Sequence, residues 1–172
     1  MENKLGIVIK CTPEQAWAVL ADPTRLPQWL TREGPFPHVI KVDGKPGPDQ
    51  IWQVDAVDGQ TAIFTVTVWD EPQLLAYELT SAPAASISVS QANRFDLDID
   101  ETGTLVTWHV AWQLAEPRFI TRILQERQLD KDIETMQMYS LQRLKEIIEI
   151  EVANDDQTEP DSDDDAEAPG SD

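Results

Sequence analysis

Few side chains in this sequence have both the type and the spacing that chemistry requires. The two histidines are His38 and His109. His38 shares parity with Ile40 and Val42 on an apolar face. His109 alternates with Trp108 and Val110 and so points to the polar side, and the two are not expected to meet. Neither stands beside a carboxylate or at metal-ligand spacing from a second histidine, and the simpler reading makes both structural. Cys11, the single cysteine, precedes a helix start, where the dipole lowers a thiol pKa. The plainer role is a small residue closing a strand. One cysteine permits no disulfide within the chain and no cysteine-based zinc site. Asp96-x-Asp98-x-Asp100-Glu101 begins like a calcium loop. That loop needs glycine sixth and glutamate twelfth, and here Glu101 and Thr107 stand in those places. The aspartates read instead as the solvated face of a strand. No glycine-rich phosphate loop and no serine nucleophile elbow is present.

The uncharged polar residues are more informative. Gln91 and Asn93 fall on the inward face between Val89 and Phe95. A buried amide without a partner costs about 1–3 kcal/mol. Water, a bulge near Gln91-Ala92 that turns both outward, or the polar group of a ligand are the ways out. Six tryptophans are many for 172 residues. Trp52, Trp108 and Trp112, with inward parity, either fill a core or form a flat, rigid wall for an apolar ligand.

The elements that must position these residues follow from periodicity. Leu5 to Lys10 alternates weakly, as a short strand. Thr12-Pro13-Glu14 supplies a cap, a first-turn proline and a first-turn acid, and Ala16, Trp17, Val19 and Leu20 give the helix one apolar face. Thr24 to Leu30 is a second short helix carrying Leu26, Trp29 and Leu30. From Phe36 the period becomes two. Successive strands present His38, Ile40, Val42; Trp52, Val54, Ala56; Ala62, Phe64, Val66, Val68, with Trp69 on the outer face; Leu75, Tyr77, Leu79; Ile87, Val89, Phe95, Leu97, Ile99; and Val106, Trp108, Val110, Trp112, Leu114. Gly44 to Pro48, Asp58-Gly59, Asp70-Glu71-Pro72 and Glu101-Thr102-Gly103 mark the turns. One-sided alternation of this kind belongs to antiparallel strands with one buried face.

Pro117 to about Ile150 returns to helical period, with Ile120, Ile123, Leu124, Ile133, Met136, Leu144, Ile147 and Ile148 on one side. Unbroken, it spans roughly 50 Å, more than the ~35 Å width of such a domain. A bend near Leu129 to Asp132, or an overhanging end, is therefore expected.

Charge divides the chain unevenly. Ten acidic and no basic residues lie between Glu151 and Asp172, more than half of the net charge of −19. The reading is one domain, residues 1–152, followed by a disordered acidic tail, residues 153–172, whose composition cannot offset its ordering entropy. An acidic domain repels phosphate backbones, so nucleic acid is not expected as a partner. No apolar run reaches ~20 residues, so membrane insertion is not expected either. The opening residues show no apolar signal stretch, and a cytoplasmic location is the expectation.

Three stretches carry a resemblance. Ala16-Trp17-Ala18-Val19-Leu20-Ala21-Asp22-Pro23, continuing through Leu26-Pro27-Gln28-Trp29, resembles the VWxxLxDxxxxPxW opening of the polyketide cyclase/dehydrase-like branch of the SRPBCC, or Bet v 1-like (START-like), superfamily. Gly103-Thr104-Leu105-Val106-Thr107-Trp108 is similar to its GTxVTW last strand. Leu141-Gln142-Arg143-Leu144-Lys145 with Glu149 is similar to the LxxLKxxxE close of its long helix. The resemblance covers about residues 5 to 150 and implies an α+β helix-grip fold. In that fold a curved antiparallel sheet wraps around a long C-terminal helix, with two short helices after the first strand.

It also implies a cavity between sheet and helix for a small hydrophobic molecule, a lipid or polyketide among the options. It transfers no reaction, because the fold hosts many functions. On this reading Trp52, Phe64, Val66, Tyr77, Phe95, Trp108 and Trp112 line the sheet side, Ile133, Met136 and Ser140 line the helix side, and Asn93 and Tyr77 are polar anchors. No catalytic set, metal or cofactor is implied. The alternatives are a cyclase/dehydratase-like enzyme, for which His38 and Tyr77 are the acid–base candidates, and a co-chaperone-like interaction module, with the acidic tail as one route to a protein partner.

Overall fold

A computed structural model describes residues 1–30, 38–55, 61–81, 88–115 and 122–157. Seven antiparallel strands form one sheet in the order β1-β7-β6-β5-β4-β3-β2. They are β1 (Glu2–Ile9), β2 (His38–Asp43), β3 (Ile51–Asp55), β4 (Thr61–Asp70), β5 (Leu74–Ser81), β6 (Ser88–Asp100) and β7 (Gly103–Ala115). Between β1 and β2 lie α1 (Pro13–Leu20), a 3-10 turn (Pro23–Arg25) and α2 (Leu26–Trp29), and α3 (Arg122–Asp156) closes the chain. This is the helix-grip arrangement expected from the sequence.

Local chemistry sets the helix starts. Thr12 Oγ1 accepts from the Gln15 amide while Gln15 Oε1 accepts from the Thr12 amide, a reciprocal capping box with proline at the next position. Asp22 caps the 3-10 turn through the Thr24 amide. At the β6–β7 turn Asp100 accepts from the backbone and hydroxyl of Thr102.

The expected inward parity holds along β6 and β7, whose pairing runs without interruption from Ser88↔Ala115 to Asp100↔Gly103. No bulge turns Gln91 and Asn93 outward: Asn93 is buried, and Gln91 is half-buried opposite Trp112. Strand β4 departs from simple alternation. The β4–β5 register shifts between Val66 and Val68, and the extra residue, Thr67, reverses the parity beyond it. Val68, expected inside, is therefore exposed. Trp69, expected outside, packs edge-on against Trp17 at 5.3 Å and joins the core. Val42 pairs with the buried Trp52 and so keeps its inward parity, yet it is exposed on the edge strand β2. Ile99, also expected inside, is 85% exposed beside the β6–β7 turn. The side chains of His38, Ile40, Val89 and Leu114, the Asp58-Gly59 turn and the first turns of the last expected helix lie outside the described residues.

The last helix is continuous from Arg122 to Asp156, with no break at Leu129 to Asp132. It runs through the first residues of the expected tail, Ala153 to Asp156. Its buried stripe is Ile133, Gln137, Ser140, Leu141, Leu144 and Ile148, recurring at three- and four-residue spacing. Side chains clip the helix to the edge strand β1. Lys145 Nζ donates to the Val8 carbonyl at 2.9 Å, and the Lys10 amide donates to Glu149 Oε1 at 3.0 Å. Arg25 in turn holds Glu151 through a forked ion pair. These contacts occupy backbone groups that an edge strand otherwise leaves open. Leu144 is fully buried at the centre of the stripe. Leu144→Ala is expected to cost about 2–5 kcal/mol in urea denaturation, against less than about 0.5 kcal/mol for Met138→Ala on the exposed face of the same helix.

Candidate functional site

The concave face of the sheet carries a continuous aromatic layer. Trp52 stacks near Phe64 at 6.3 Å, and Tyr77 lies 5.7 Å from Trp52 and 5.2 Å from Phe64. Tyr77 continues to Phe95 at 6.1 Å, and Phe95 stacks on Trp108 at 4.9 Å. Trp29 of α2 stands edge-on to both Phe95 and Trp108. Adjacent strands at ~4.8 Å place inward rings within contact of one another, and each offset or edge-on pair adds about 0.5–1.5 kcal/mol beyond burial.

All eleven residues expected to line the interior face it. Trp52, Phe64, Val66, Tyr77, Asn93, Phe95, Trp108, Trp112, Ile133 and Ser140 are buried, and Met136 packs half-buried against the same core. Gln137 and Trp29 were not foreseen in this set. Gln137 had a signal: it lies four residues after Ile133 and seven before Leu144, a polar residue on the apolar stripe of the helix.

Within this apolar layer sits a small uncharged polar group centred on Trp108. Its indole Nε1 donates to Asn93 Oδ1 at 3.1 Å, and its backbone carbonyl accepts from Gln137 Nε2 at 3.1 Å. Asn93 Nδ2, Gln137 Oε1 and the indole Nε1 atoms of Trp29 and Trp112 are buried with no hydrogen-bond partner among the described residues. By contrast, the Trp52 indole is answered by Gln50 Oε1 at 2.9 Å. Three donor groups and one acceptor are thus left open in one aromatic interior, each at a cost of about 1–3 kcal/mol.

Acid–base and nucleophilic chemistry find little here. Burial pushes the Tyr77 phenol far above its ordinary range, so it stays a neutral hydroxyl. Burial also raises the Cys11 thiol; the neighbouring Glu149 charge adds to this, while a hydrogen bond to Thr104 and a backbone contact oppose it. His109 lies outside the aromatic face, as expected, with Nε2 at 3.1 Å from Asp96 Oδ2, and Arg94 forks onto the same carboxylate. Among the described residues no His, Cys, Asp and Glu side chains cluster as metal ligands. A groove of about 610 Å³ opens on this convex side, over Ala76, Ala92 and Ala111, with Arg94, Asp96 and His109 at its rim. It lies across the sheet from the interior the sequence pointed to.

A curved antiparallel sheet with an aromatic concave face, two short helices after β1 and one long helix laid along β1 defines a helix-grip protein. The chain belongs to the family described as polyketide cyclase / dehydrase and lipid transport, whose pattern matches residues 4–149. The fold is similar to that of protein CV1439 from Chromobacterium violaceum (TM-score 0.66, 16% identity, covering 86% of this chain and 96% of that one). It is likewise similar to MLL2253 from Mesorhizobium loti (TM-score 0.65, 17% identity, 93% and 100% covered). A third similar structure is DynU16, a putative protein in the dynemicin biosynthetic locus (TM-score 0.58, 15% identity), of which the match covers 47%, against 86% of this chain. No curated protein matches the chain. Among the described residues no helix is long and apolar enough to cross a membrane.

Proposed function

We propose that this chain binds a small, largely apolar molecule between the concave sheet and α3. The observation that carries the reading is the set of unanswered hydrogen-bonding atoms inside an aromatic layer. A core selected for stability alone fills such positions with apolar side chains or pairs them, because each open buried group costs free energy. Sites for small molecules combine mostly apolar walls with a few placed polar groups. The family's description points the same way. Of the two acid–base candidates, Tyr77 is buried and its phenol is pushed above its ordinary range, which disfavours it as a base.

The test uses an uncharged fluorescent probe, N-phenylnaphthylamine, and the quenching of tryptophan emission. Trp112→Ala removes wall and Met136→Trp fills space, and each is expected to shift probe affinity roughly tenfold. Ala92→Trp, which fills the convex groove, is expected to leave it unchanged. Absence of quenching in the native chain, or a response only to Ala92→Trp, overturns the reading in favour of a partner-binding surface or of the outer groove.

A further inference from the structure

Resting on that reading, we infer that the bound molecule presents a neutral hydroxyl to Asn93 and Gln137, and not an ionised carboxylate or phosphate. The argument begins with the orientation of the two amides. The Trp108 indole N–H can only donate, so the Asn93 atom that meets it is the oxygen, and Nδ2 remains as an open donor. The Trp108 carbonyl can only accept, so the Gln137 atom that meets it is the nitrogen, and Oε1 remains as an open acceptor. Neither amide can flip without losing its bond. One residue, Trp108, therefore pins an open donor from β6 and an open acceptor from α3 on the same interior.

The chemistry of the open atoms selects the ligand group. A hydroxyl accepts from Asn93 Nδ2 and donates to Gln137 Oε1. A ketone, ether or ester answers the donors only and leaves Gln137 open. A carboxylate would also find donors in Asn93 and in the Trp29 and Trp112 indoles, but it meets the lone pairs of Gln137 Oε1 and no compensating charge. The buried polar residues described are Gln50, Asn93, Thr104, Thr107, Gln137 and Ser140, none of them charged. Burying an anion without a cation is far more expensive than burying a neutral hydroxyl, and the net charge of −19 disfavours anions further. Gln137 Oε1 is the atom that decides, because without it the neutral donors would accept either group.

The experiment displaces N-phenylnaphthylamine from the full chain with dodecanol, dodecanoate, methyl dodecanoate and dodecane at about pH 8, where a carboxylic acid is ionised. Dodecanol is expected to compete roughly tenfold better than the ester or the carboxylate. Gln137→Leu is expected to bring dodecanol to the level of methyl dodecanoate while leaving the ester unchanged. Gln137→Met, closer in shape, gives the same readout should the leucine variant fold poorly. If the probe binds and dodecanoate competes as well as dodecanol, or all four compounds compete equally, the hydroxyl inference is overturned and the ligand-binding reading stands. If the probe does not bind the native chain, the reading itself falls.

Discussion

Gly103→Ala is expected to destabilise the protein by about 3–5 kcal/mol, through steric overlap and backbone strain together. Gly103 opens β7 at a φ of +156°, a conformation that side chains other than glycine rarely adopt. A Cβ there would stand 2.0 Å from the Ile9 carbonyl oxygen and 2.9 Å from its carbon. Both are backbone atoms of β1, where Ile9 pairs with Thr104, so relief requires β1 and β7 to separate where α1 begins. Gly47→Ala isolates the two causes. Gly47 has a φ of +141° with nothing within 4 Å of the added carbon, and its cost is expected near 1–2 kcal/mol from backbone strain alone. Urea denaturation of the two variants, compared at equal m-value, gives the difference. Equal costs would show that the approach of β1 is not what demands glycine at residue 103.

Trp108→Ala is the second substitution with a large expected effect, about 3–5 kcal/mol for the lost side chain and the cavity it leaves. The ring is 1% exposed, stacks on Phe95 and receives the edge of Trp29. Its N–H also answers Asn93, so the alanine variant frees an acceptor in the interior. Trp108→Phe separates packing from polarity. It keeps an aromatic face but removes the N–H, and about 1–3 kcal/mol of loss is expected from the unpaired Asn93 oxygen. Trp108→Phe keeps the backbone carbonyl that orients Gln137, so any preference for dodecanol should persist in this variant while its melt stays cooperative. A phenylalanine variant as stable as the native chain would show that the Asn93 bond contributes nothing to the fold.

The interior was largely legible because its residues report by parity. Phe95 and Trp108 are flanked by polar residues on both sides and Trp52, Phe64 and Tyr77 on one, the pattern of a half-buried antiparallel strand. Asn93 was visible by the same rule as a polar residue with inward parity. Its partner was not. Gln137 reaches Trp108 across 29 residues of sequence, and no local pattern encodes which strand a helix position will face. Trp29 belongs to a helix of four residues, too short for periodicity to give a direction.

By itself, the sequence determined the order of elements, the capped start of α1, the hairpin turn at residues 101–103 and the burial of Phe95, Leu97, Val106, Trp108, Val110 and Trp112 on β6 and β7. These are local properties, set by side-chain period, capping chemistry and backbone preference within a few residues. Only the tertiary structure decided the rest. One extra residue at Thr67 turned Val68 out and Trp69 in toward Trp17. A bulge is a compromise between two paired strands and the layer that covers them, and it leaves no mark in either strand's own alternation. The same holds for the open atoms of Asn93, Gln137, Trp29 and Trp112. Each residue is ordinary in sequence, and only the packing of α2 and α3 against the sheet makes their unmet hydrogen bonds face one interior.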